Sequence, residues 1–266
     1  MIIEVVDIVD REDVAGPGEM RGDGRPGADR PGVRKERAGV RSGDLGARLV
    51  VAAAELLDET GNEASVTLRA IARRAGVSAP AIYGHYADIQ SIFLVVVQEA
   101  FAELEQALQA GAGAAGPAGR QPLSGSAAAG RVGDAAVPVS PDPRQLAVAR
   151  LQAVCAAYLD FAARRPQRYR IMFGGLWTAT SAIESSAVSH GDVQALGQEA
   201  LGVFVAVLQG CVDAGASRST DTFADAVALW LGLHGLAHQR VVTAAFPWPD
   251  DVAQRLVTAL AHLGEG

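Results

Sequence analysis

The side chains between residues 67 and 86 are suited to one kind of chemistry, namely hydrogen bonding to phosphate oxygens and base edges. Thr67, Ser78 and Tyr83 offer hydroxyl groups, and Arg69 offers a guanidinium. Proteins use these groups to contact the backbone and the bases of duplex DNA. The elements that hold these residues decide the interpretation.

Two short helical patterns enclose a tight turn in this stretch. The first, LRAIARRA, places Leu68, Ile71 and Ala72 on one side, and Thr67 before it is a typical helix N-cap. Gly76 stands where the chain must reverse sharply, a place that favours a residue able to take a positive φ angle. The spacing therefore predicts a helix of about two turns that ends at a glycine.

The second pattern predicts a short helix, about SAPAIYGHY. Ser78 can cap it, and Pro80 lies in its first turn, where the missing N–H costs little. Small residues in that turn, such as Ala79 and Ala81, allow a helix backbone to sit deep in the major groove, whereas Ile82 should point into a small core. Such a helix–turn–helix unit places its second helix in DNA, and an ordinary helical hairpin is the alternative.

Upstream and downstream of this unit, composition divides the chain into regions. Residues 1–43 are rich in Gly, Pro, Arg and Asp, and we expect a mostly disordered arm that is basic near residues 34–41, where Arg37 and Arg41 could meet DNA. Residues 44–93 should form the DNA-binding domain, whose first helix Asp44 can cap and Gly61 can end.

The remainder, residues 94–266, shows repeated helical periodicity, interrupted by a Gly/Ala/Pro-rich flexible insertion at about 111–143. Alternating runs of β-branched residues are missing, so the predicted fold class is all-α. The larger helical domain should follow the N-terminal DNA-binding domain.

The overall composition and net charge fit an intracellular protein whose affinity for phosphates comes from a local patch and not from the charge of the whole chain. The net charge is −7, but a local basic patch can still contact nucleic acid. The N-terminus lacks a basic region ahead of an apolar run, and no run approaches the ~20 uninterrupted apolar residues of a membrane span. We expect a cytoplasmic protein with no membrane partner, in which Cys155 and Cys211 are reduced and buried.

The residues from 48 to 93, RLVVAAAELLDETGNEASVTLRAIARRAGVSAPAIYGHYADIQSIF, resemble the N-terminal DNA-binding domain of the TetR/AcrR transcriptional regulators. The A…LL…G of the first helix, T-L-R-x-I-A-x-x-A-G-V-S and Y-x-H-Y follow in order at family spacing. Downstream, ALWLGLHGLAHQRV contains Trp230, His234 and Gly235, similar to the W-x-x-x-H-G signature of one subgroup.

The resemblance implies an all-helical homodimer. Three N-terminal helices form its DNA-reading head, and a fourth helix connects the head to a larger ligand-sensing and dimerisation domain. It implies repression from a near-palindromic double-stranded operator, relieved by a small-molecule inducer, without a cofactor or catalysis. The implied contacts are Thr67 and Arg69 to the DNA backbone, Ser78, Ala79, Pro80 and Tyr83 near the bases, and His85 and Tyr86 to phosphates.

Three features depart from the family pattern. Ile89 stands where many members have a phosphate-binding lysine at the start of the fourth helix. Gly84 lies within the recognition helix and should weaken its end by ~1 kcal/mol relative to alanine. The insertion at about 111–143 replaces what is usually a short loop.

The larger domain offers candidates for a ligand pocket, which should be mostly apolar with a few polar groups that fix the ligand. Each candidate could equally belong to the core, and for Trp230 and His234, one helical turn apart, we favour a structural role with pocket lining second. The candidates are Tyr158, Phe161, Met172, Trp177, Phe204, Trp230 and His234.

The last two long helices form the dimer surface by resemblance. One apolar stripe consists of Val227, Leu231 and Leu236, and a second consists of Val252, Leu256, Leu260 and Leu263. Two such helices from each subunit would give a four-helix bundle.

Other functions remain open on the residues alone. His234 and His238 have the i, i+4 spacing of metal ligands, but a third ligand would have to come from His190, Asp192 or His262, so no metal site is assigned. Nucleophile-elbow, P-loop and dinucleotide-binding motifs are missing, which argues against an enzyme. A ligand-independent dimeric DNA-binding protein is the remaining alternative.

Overall fold

A computed structural model describes residues 34–62, 65–115, 142–174, 177, 179–184 and 188–264. For residues 34–44 it describes the course of the backbone but not the side chains, so the predicted DNA contacts of Arg37 and Arg41 lie outside what it describes. The predicted arm at residues 1–33 and the middle of the predicted insertion, 116–141, lie outside the described residues as well.

The regular elements of the described residues are helices, which confirms the all-α prediction. One isolated antiparallel bridge joins Ser217 to Leu263. The helices are α1 (Arg34–Thr60), α2 (Leu68–Ala75), α3 (Ala79–Ile82), α4 (Ile89–Ala114), α5 (Pro143–Arg164), α6 (Pro166–Phe173), α7 (Ala179–Glu184), α8 (His190–Gln194), α9 (Gln198–Asp213), α10 (Thr222–Val242) and α11 (Val252–Leu260).

The start of α1 differs from the prediction. The helix begins at Arg34, so Asp44 lies inside it and cannot cap it. The residues from Arg34 to Arg41 are mainly Arg, Lys, Glu and Ala, which favour helix and allow α1 to extend toward the N-terminus. Its end agrees with the prediction, because Gly61 adopts a left-handed φ of +60° directly after Thr60.

The described residues divide into two compact units. We call residues up to 97 together with 170–195 the head unit, and residues 98–169 together with those from 196 onward the body unit. The head unit therefore contains α1, α2 and α3, and it also takes in a stretch that the sequence places in the larger domain. Two helices, α4 and α6, run from one unit into the other.

The body unit is built on the mutual packing of α5, α9 and α10. Tyr158 on α5, Phe204 and Leu208 on α9, and Leu229 on α10 are fully buried. Gly111 lets α4 approach α5 closely, since a Cβ there would lie 3.0 Å from the carbonyl oxygen of Ala153. The spacing of apolar residues from which these helices are predicted therefore corresponds to their buried faces.

The contact of α10 with α11 bears on the predicted dimer surface, which stays a prediction. A Cβ on Gly232 would lie 2.6 Å from Cδ1 of Leu260 and 3.2 Å from Cδ2 of Leu256, so both leucines pack against the chain's own α10. Leu236 is buried, whereas Leu231 is exposed. Spacing alone predicts an apolar stripe, but it does not say which apolar face packs within the subunit.

Two described stretches, Pro143–Arg164 and His190–Asp213, are long and apolar enough to cross a membrane by length and composition alone. Buried core helices of ordinary globular proteins pass the same test, and both stretches carry residues that are buried here, such as Tyr158 and Phe204. Both cysteines are free and buried, and burial raises the pKa of the Cys155 thiol to about 12.

Candidate nucleic-acid interface

The turn between α2 and α3 is formed as its residue types predict. Oγ1 of Thr67 accepts a hydrogen bond from the backbone N–H of Ala70 at 3.1 Å, which caps α2. Gly76 adopts φ +70° and ψ +35°, a left-handed conformation that costs glycine little. The N–H of Val77 donates to the carbonyl oxygen of Ala72 at 2.9 Å, which closes the end of α2.

Helix α1 holds α2 in place through two arginines. The guanidinium of Arg48 donates to the carbonyl oxygen of Ala75 at the end of α2. Arg74 on α2 forms ion pairs with Glu55 at 3.1 Å and with Glu59 at 2.6 Å, both on α1. By residue type, all the arginines of α2 favour DNA binding. Arg74 is instead engaged within the protein.

The face of α3 that does not enter the core carries small and polar groups. Ile82 is fully buried, as predicted, whereas Ser78 and Pro80 are exposed and Ala79 is partly exposed. Tyr83 follows Ile82 with 65% of its surface exposed. The base-proximal residues implied by the resemblance are therefore each exposed or partly exposed, and their contacts with DNA stay a prediction.

Ser78 differs from the prediction in detail. Its extended backbone, with φ −77° and ψ 145°, occupies the N-cap position, but its side chain makes no capping hydrogen bond. Pro80 lies in the first turn as predicted. The regular part of α3 is a single turn, shorter than the expected helix of about SAPAIYGHY, because the chain turns at residues 83–85, around Gly84.

Tyr86 makes contacts within the protein, and its predicted phosphate contact stays a prediction. Its hydroxyl donates to the carbonyl oxygen of Gly46 on α1 at 3.3 Å, and the backbone N–H groups of His85 and Tyr86 both donate to the carbonyl oxygen of Ile82 at 2.8 Å and 3.0 Å. Tyr86 therefore fixes the end of the recognition turn to α1. His85 stays partly exposed beside it.

The start of α4 is capped by a residue that the sequence analysis does not single out. Oδ1 of Asp88 accepts hydrogen bonds from both the backbone N–H and the hydroxyl of Ser91, each at 2.9 Å. An Asp three residues before a Ser at a helix start is a recognisable capping signal. Ile89, in the position of the missing lysine, is partly buried.

Comparison with known proteins gives this arrangement its context. Residues 49–96 match the family model described as bacterial regulatory proteins, tetR family, and residues 151–263 match that of the tetracyclin repressor-like, C-terminal domain. The chain belongs to the TetR family of bacterial regulatory proteins. That family is one of transcriptional regulators and not of enzymes. Membership of the subgroup with the W-x-x-x-H-G signature stays a prediction.

Among curated proteins, the chain is similar to the HTH-type transcriptional activator FasR of Mycolicibacterium smegmatis. The two are 30% identical over 162 residues, which cover 60% of this chain and 58% of that protein. The match thus spans less than two thirds of the relative's length.

Solved structures share the fold. A protein of unknown function from Rhodococcus sp. RHA1 has a TM-score of 0.57 and 22% identity, over 82% of this chain and 91% of that one. A tetR-family bacterial regulatory protein from Rhodococcus RHA1 has a TM-score of 0.50 and 20% identity, over 84% of this chain and 98% of that one.

The body unit of this TetR-family regulator contains a buried cluster of aromatic rings around His234. Nε1 of Trp230 donates to the hydroxyl of Tyr158 at 3.3 Å, and the hydroxyl of Tyr169 lies 2.6 Å from Nδ1 of His234. The rings of Phe204 and Trp230 stack with their centroids 6.1 Å apart. We call these five residues the His234 cluster.

Burial keeps the His234 cluster uncharged. It raises the pKa of the Tyr158 hydroxyl well above its usual range and that of the Tyr169 hydroxyl to about 12. Burial, aided by the neighbouring His238, lowers the pKa of His234 below its ordinary value. A neutral imidazole with its proton on Nε2 accepts a hydrogen bond at Nδ1, which suits the short contact from Tyr169.

The predicted pocket residues do not all lie together. Tyr158, Phe204, Trp230 and His234 meet in the His234 cluster, together with Tyr169, which the sequence analysis missed because a lone tyrosine in a short helix carries no periodic signal. Phe161 is buried on α5. Met172 and Trp177 are buried in the head unit.

A cavity of about 630 Å³ opens elsewhere in the body unit, and none of the predicted pocket residues lines it. Among its lining residues are Ala112, Leu146, Arg150, Val207 and Gly210. Among the described residues, no group of three His, Cys, Asp or Glu side chains could hold a metal ion. His234 and His238 therefore find no third ligand in the part of the chain that the structure describes.

Proposed function

We propose that this TetR-family regulator acts in the cytoplasm as a homodimer. In this proposal it binds a near-palindromic double-stranded operator and represses transcription until a small, largely apolar ligand releases it. The observation that carries DNA binding is the accessible surface of α3. Small residues there admit the helix backbone to the major groove, and Tyr83 projects from the same surface.

The proposed protein–DNA contacts follow from this surface. Ser78, Ala79, Pro80 and Tyr83 face the bases, while Thr67 retains a hydroxyl proton for a phosphate, since its oxygen accepts from Ala70. Arg69 and His85 add phosphate contacts. Arg37 and Arg41 would add contacts to the DNA backbone.

A homodimer is supported by exposed apolar residues on and just after α10. Leu231, Val241, Val242 and Phe246 are exposed although each is large and apolar. Burial of such a patch against a second copy would remove it from water. A two-fold dimer would space its recognition helices about 34–36 Å apart, one turn of DNA, and so would require a near-palindromic site.

Ligand response is supported by the His234 cluster. Its surroundings are apolar, and it offers a few hydrogen-bonding groups that could fix a ligand. A ligand that prefers a dimer arrangement unable to bind DNA shifts the population toward that arrangement. About 3 kcal/mol of preference would lower operator affinity ~100-fold. Helix α4, which is continuous through both units, would carry the change as a lever.

Activation is a second candidate for the direction of regulation, because the relative FasR is named an activator. Equilibrium binding to the DNA upstream of the protein's own gene tests the DNA-binding part, and a promoter fusion in cells with and without the protein tests the sign. Lower reporter output with the protein present supports repression, and higher output supports activation. Specific binding that no added apolar compound changes would favour a ligand-independent regulator.

A further inference from the structure

The stretch that would face the bases lacks the side chains that bind guanine, adenine or cytosine through strong hydrogen bonds. Arg and Lys bind guanine in this way, Asn and Gln bind adenine, and Asp and Glu accept from cytosine. Residues 75–87, AGVSAPAIYGHYA, contain none of these types. Base recognition by α3 and the turn after it must therefore depend on other contacts.

Apolar groups form most of the accessible part of this stretch. Pro80 is exposed, Ala79 and Ala81 are partly exposed, and 65% of the surface of Tyr83 is exposed. Ser78 adds an exposed hydroxyl that makes no capping hydrogen bond, but a serine hydroxyl discriminates little between bases. A base pair would therefore mainly meet methyl groups, a pyrrolidine ring and a phenol ring.

The rotation of α3 about its axis is fixed by Ile82, which is fully buried. Tyr83 has a helical backbone, with φ −64° and ψ −10°, and lies three residues after Pro80, so these two exposed residues are neighbours on one helix face. In a helix-turn-helix, the first residues of the second helix meet the base edges of the major groove. Tyr83 is the longest side chain on the exposed face of α3.

His85 and Tyr86, at the end of the same turn, lie beside α1. A Cβ on Gly46 of α1 would be 3.6 Å from Nδ1 of His85 and 3.7 Å from the hydroxyl oxygen of Tyr86. The Tyr86 hydroxyl donates to the carbonyl oxygen of Gly46 at 3.3 Å. The polar groups of both residues are therefore placed against the protein's own backbone, which makes them poor candidates for base recognition.

The arginines of the helix-turn-helix lie on α2. Arg69 and Arg73 are exposed and four residues apart, so they share a helix face, whereas Arg74 is paired with Glu55 and Glu59. The first helix of a helix-turn-helix crosses the DNA backbone, where arginines bind phosphates without regard to sequence. Positive charge on α2 would thus contribute affinity, and the apolar surface of α3 is left to contribute specificity.

Thymine suits an apolar surface because it carries a methyl group in the major groove. Contact with an alanine methyl group or an aromatic ring removes that methyl group from water, which should raise affinity about fourfold for each methyl group that is fully buried. A guanine or cytosine edge against the same side chains would lose water without gaining a hydrogen-bond partner.

We infer that α3 recognises thymine methyl groups, that Tyr83 makes the principal contact, and that A·T pairs rather than guanine specify the operator half-site. The inference rests on the proposed binding of α3 in the major groove, and it adds the class of base that is recognised.

Base analogues in a duplex selected from random sequence test this recognition directly. Replacement of one thymine at a time by deoxyuridine removes only the methyl group, and replacement of guanine by 7-deazaguanine removes the N7 acceptor. Fluorescence anisotropy with the full-length protein should show about a fourfold loss of affinity for deoxyuridine at one or more positions of each half-site. No loss at any thymine, or a larger loss at any guanine than at the most sensitive thymine, would overturn the inference.

Two substitutions of Tyr83 assign the contact to its ring. Tyr83→Phe keeps the ring and should keep the deoxyuridine penalty, whereas in Tyr83→Ala the penalty should fall below about twofold at one or more of the sensitive positions. Tyr83 is largely exposed, so both variants should fold, which melting temperatures check. Full penalties at every sensitive thymine in Tyr83→Ala would remove Tyr83 from the proposed contact.

Arg69→Gln is the matched control for a contact that carries no sequence information. It should weaken binding to all duplexes alike and make the salt dependence less steep by roughly 0.9 in the logarithmic slope, while the enriched bases and the deoxyuridine penalties stay the same. A change in the enriched bases in Arg69→Gln would place base recognition on α2 and contradict the inference.

The outcomes separate this inference from the proposed DNA binding. If no duplex is enriched, the proposed function fails. If an enriched duplex depends on guanine, DNA binding stands and recognition of thymine by α3 fails. Selection of A·T pairs that tolerate deoxyuridine at every position would indicate recognition through groove shape, and it also overturns the inference.

Discussion

Tyr83 is a large aromatic residue whose exposure is not explained by packing within the chain. It is 65% exposed and directly follows the fully buried Ile82. A large aromatic side chain left in water at a helix end gains little stability there, but it can contact thymine methyl groups and phosphates in DNA. Its exposure therefore supports a role in recognition.

We predict that Tyr83→Ala lowers affinity for the selected operator roughly tenfold, which corresponds to the loss of one good base-region contact. Fluorescence anisotropy measures the affinity, and analytical ultracentrifugation checks that the oligomeric state is unchanged. Phe223→Ala, which removes another largely exposed aromatic residue at the start of α10, is the matched control and should bind as the unchanged protein does. Unaltered affinity in Tyr83→Ala would remove the main assigned base contact.

Two glycines around α3 allow a matched test of backbone strain. Gly76→Ala should lower the free energy of unfolding by roughly 1–2 kcal/mol, because φ is +70° and a Cβ disfavours the left-handed region. Gly84 has no positive φ, and a Cβ there would meet the carbonyl oxygen of Ala81 at an ordinary 3.6 Å. Urea denaturation should therefore show little loss for Gly84→Ala, and equal losses for both would contradict the assignment.

Individual residues also show how much of the candidate DNA-binding site could be predicted from the sequence. Gly76, Thr67 and Ile82 were predictable, because a turn, a cap and a buried face each leave a local signal. The partners of Arg74 and Tyr86 were not, since both lie on α1, many residues away in sequence. Residue type alone suggests phosphate contacts for both, and only the tertiary structure shows that they hold α1.

Among the helices, the close packing of α4 and α5 depends on Gly111. A Cβ at that position would lie 3.0 Å from the carbonyl oxygen of Ala153, and a backbone atom in a helix cannot easily move away. We predict that Gly111→Ala lowers the free energy of unfolding by about 1–2 kcal/mol. Gly113→Ala, two residues later on α4 and facing open space, should be neutral or stabilising in the same denaturant titration. A stabilising Gly111→Ala would show that the two helices do not meet as described.

The stability of the folded protein should depend on pH through the His234 cluster, whose residues lie on α5, α6, α9 and α10. Burial lowers the folded-state pKa of His234 below its unfolded value near 6.5, so the unfolded chain binds the extra proton first. The stabilising contribution of neutral His234 is complete above about pH 6.5 and is lost as the pH falls toward the folded-state pKa.

Thermal unfolding at about pH 7.5 and about pH 5.5 measures this contribution. The unchanged protein should lose more stability over that interval than His234→Gln, which does not titrate there. His190→Gln is a suitable control, because His190 is exposed at the start of α8. Identical pH profiles for His234→Gln and the unchanged protein would contradict a buried neutral imidazole.

Element boundaries were predictable where periodicity and terminators coincide. Pro166 ends the pattern of α5, and Gly61 ends that of α1. The early start of α1 and the short length of α3 were not predictable, because helix propensity is a weak signal and the expected caps at Asp44 and Ser78 are not used.

For the protein as a whole, the basic residues ahead of the recognition unit should set the electrostatic part of DNA affinity. We predict that replacing Arg37 and Arg41 with glutamine weakens operator binding and makes its salt dependence less steep, by roughly 0.9 in the logarithmic slope for each phosphate that is no longer neutralised. Deletion of residues 1–33 should leave the melting temperature unchanged. A cooperative drop in melting temperature in that deletion, or an unchanged salt slope in the double substitution, would contradict these roles.

The division of the chain into units was only partly accessible from the sequence. The compositional break at about 111–143 separates two helical regions in sequence, but the head unit also includes residues 170–195 from beyond that break. Such a return of the chain is a long-range event, which local composition does not encode.

The proposed function requires α3 to present a DNA-reading surface twice, once from each subunit of a two-fold dimer. Selection of binding sites from random duplex DNA by the full-length protein tests both parts at once. We expect an enriched inverted repeat whose half-site centres lie about one helical turn, 10–10.5 base pairs, apart or a multiple of it, and loss of enrichment with Tyr83→Ala. Enrichment of a single unrepeated site, or of nothing beyond random sequence, would contradict the proposal.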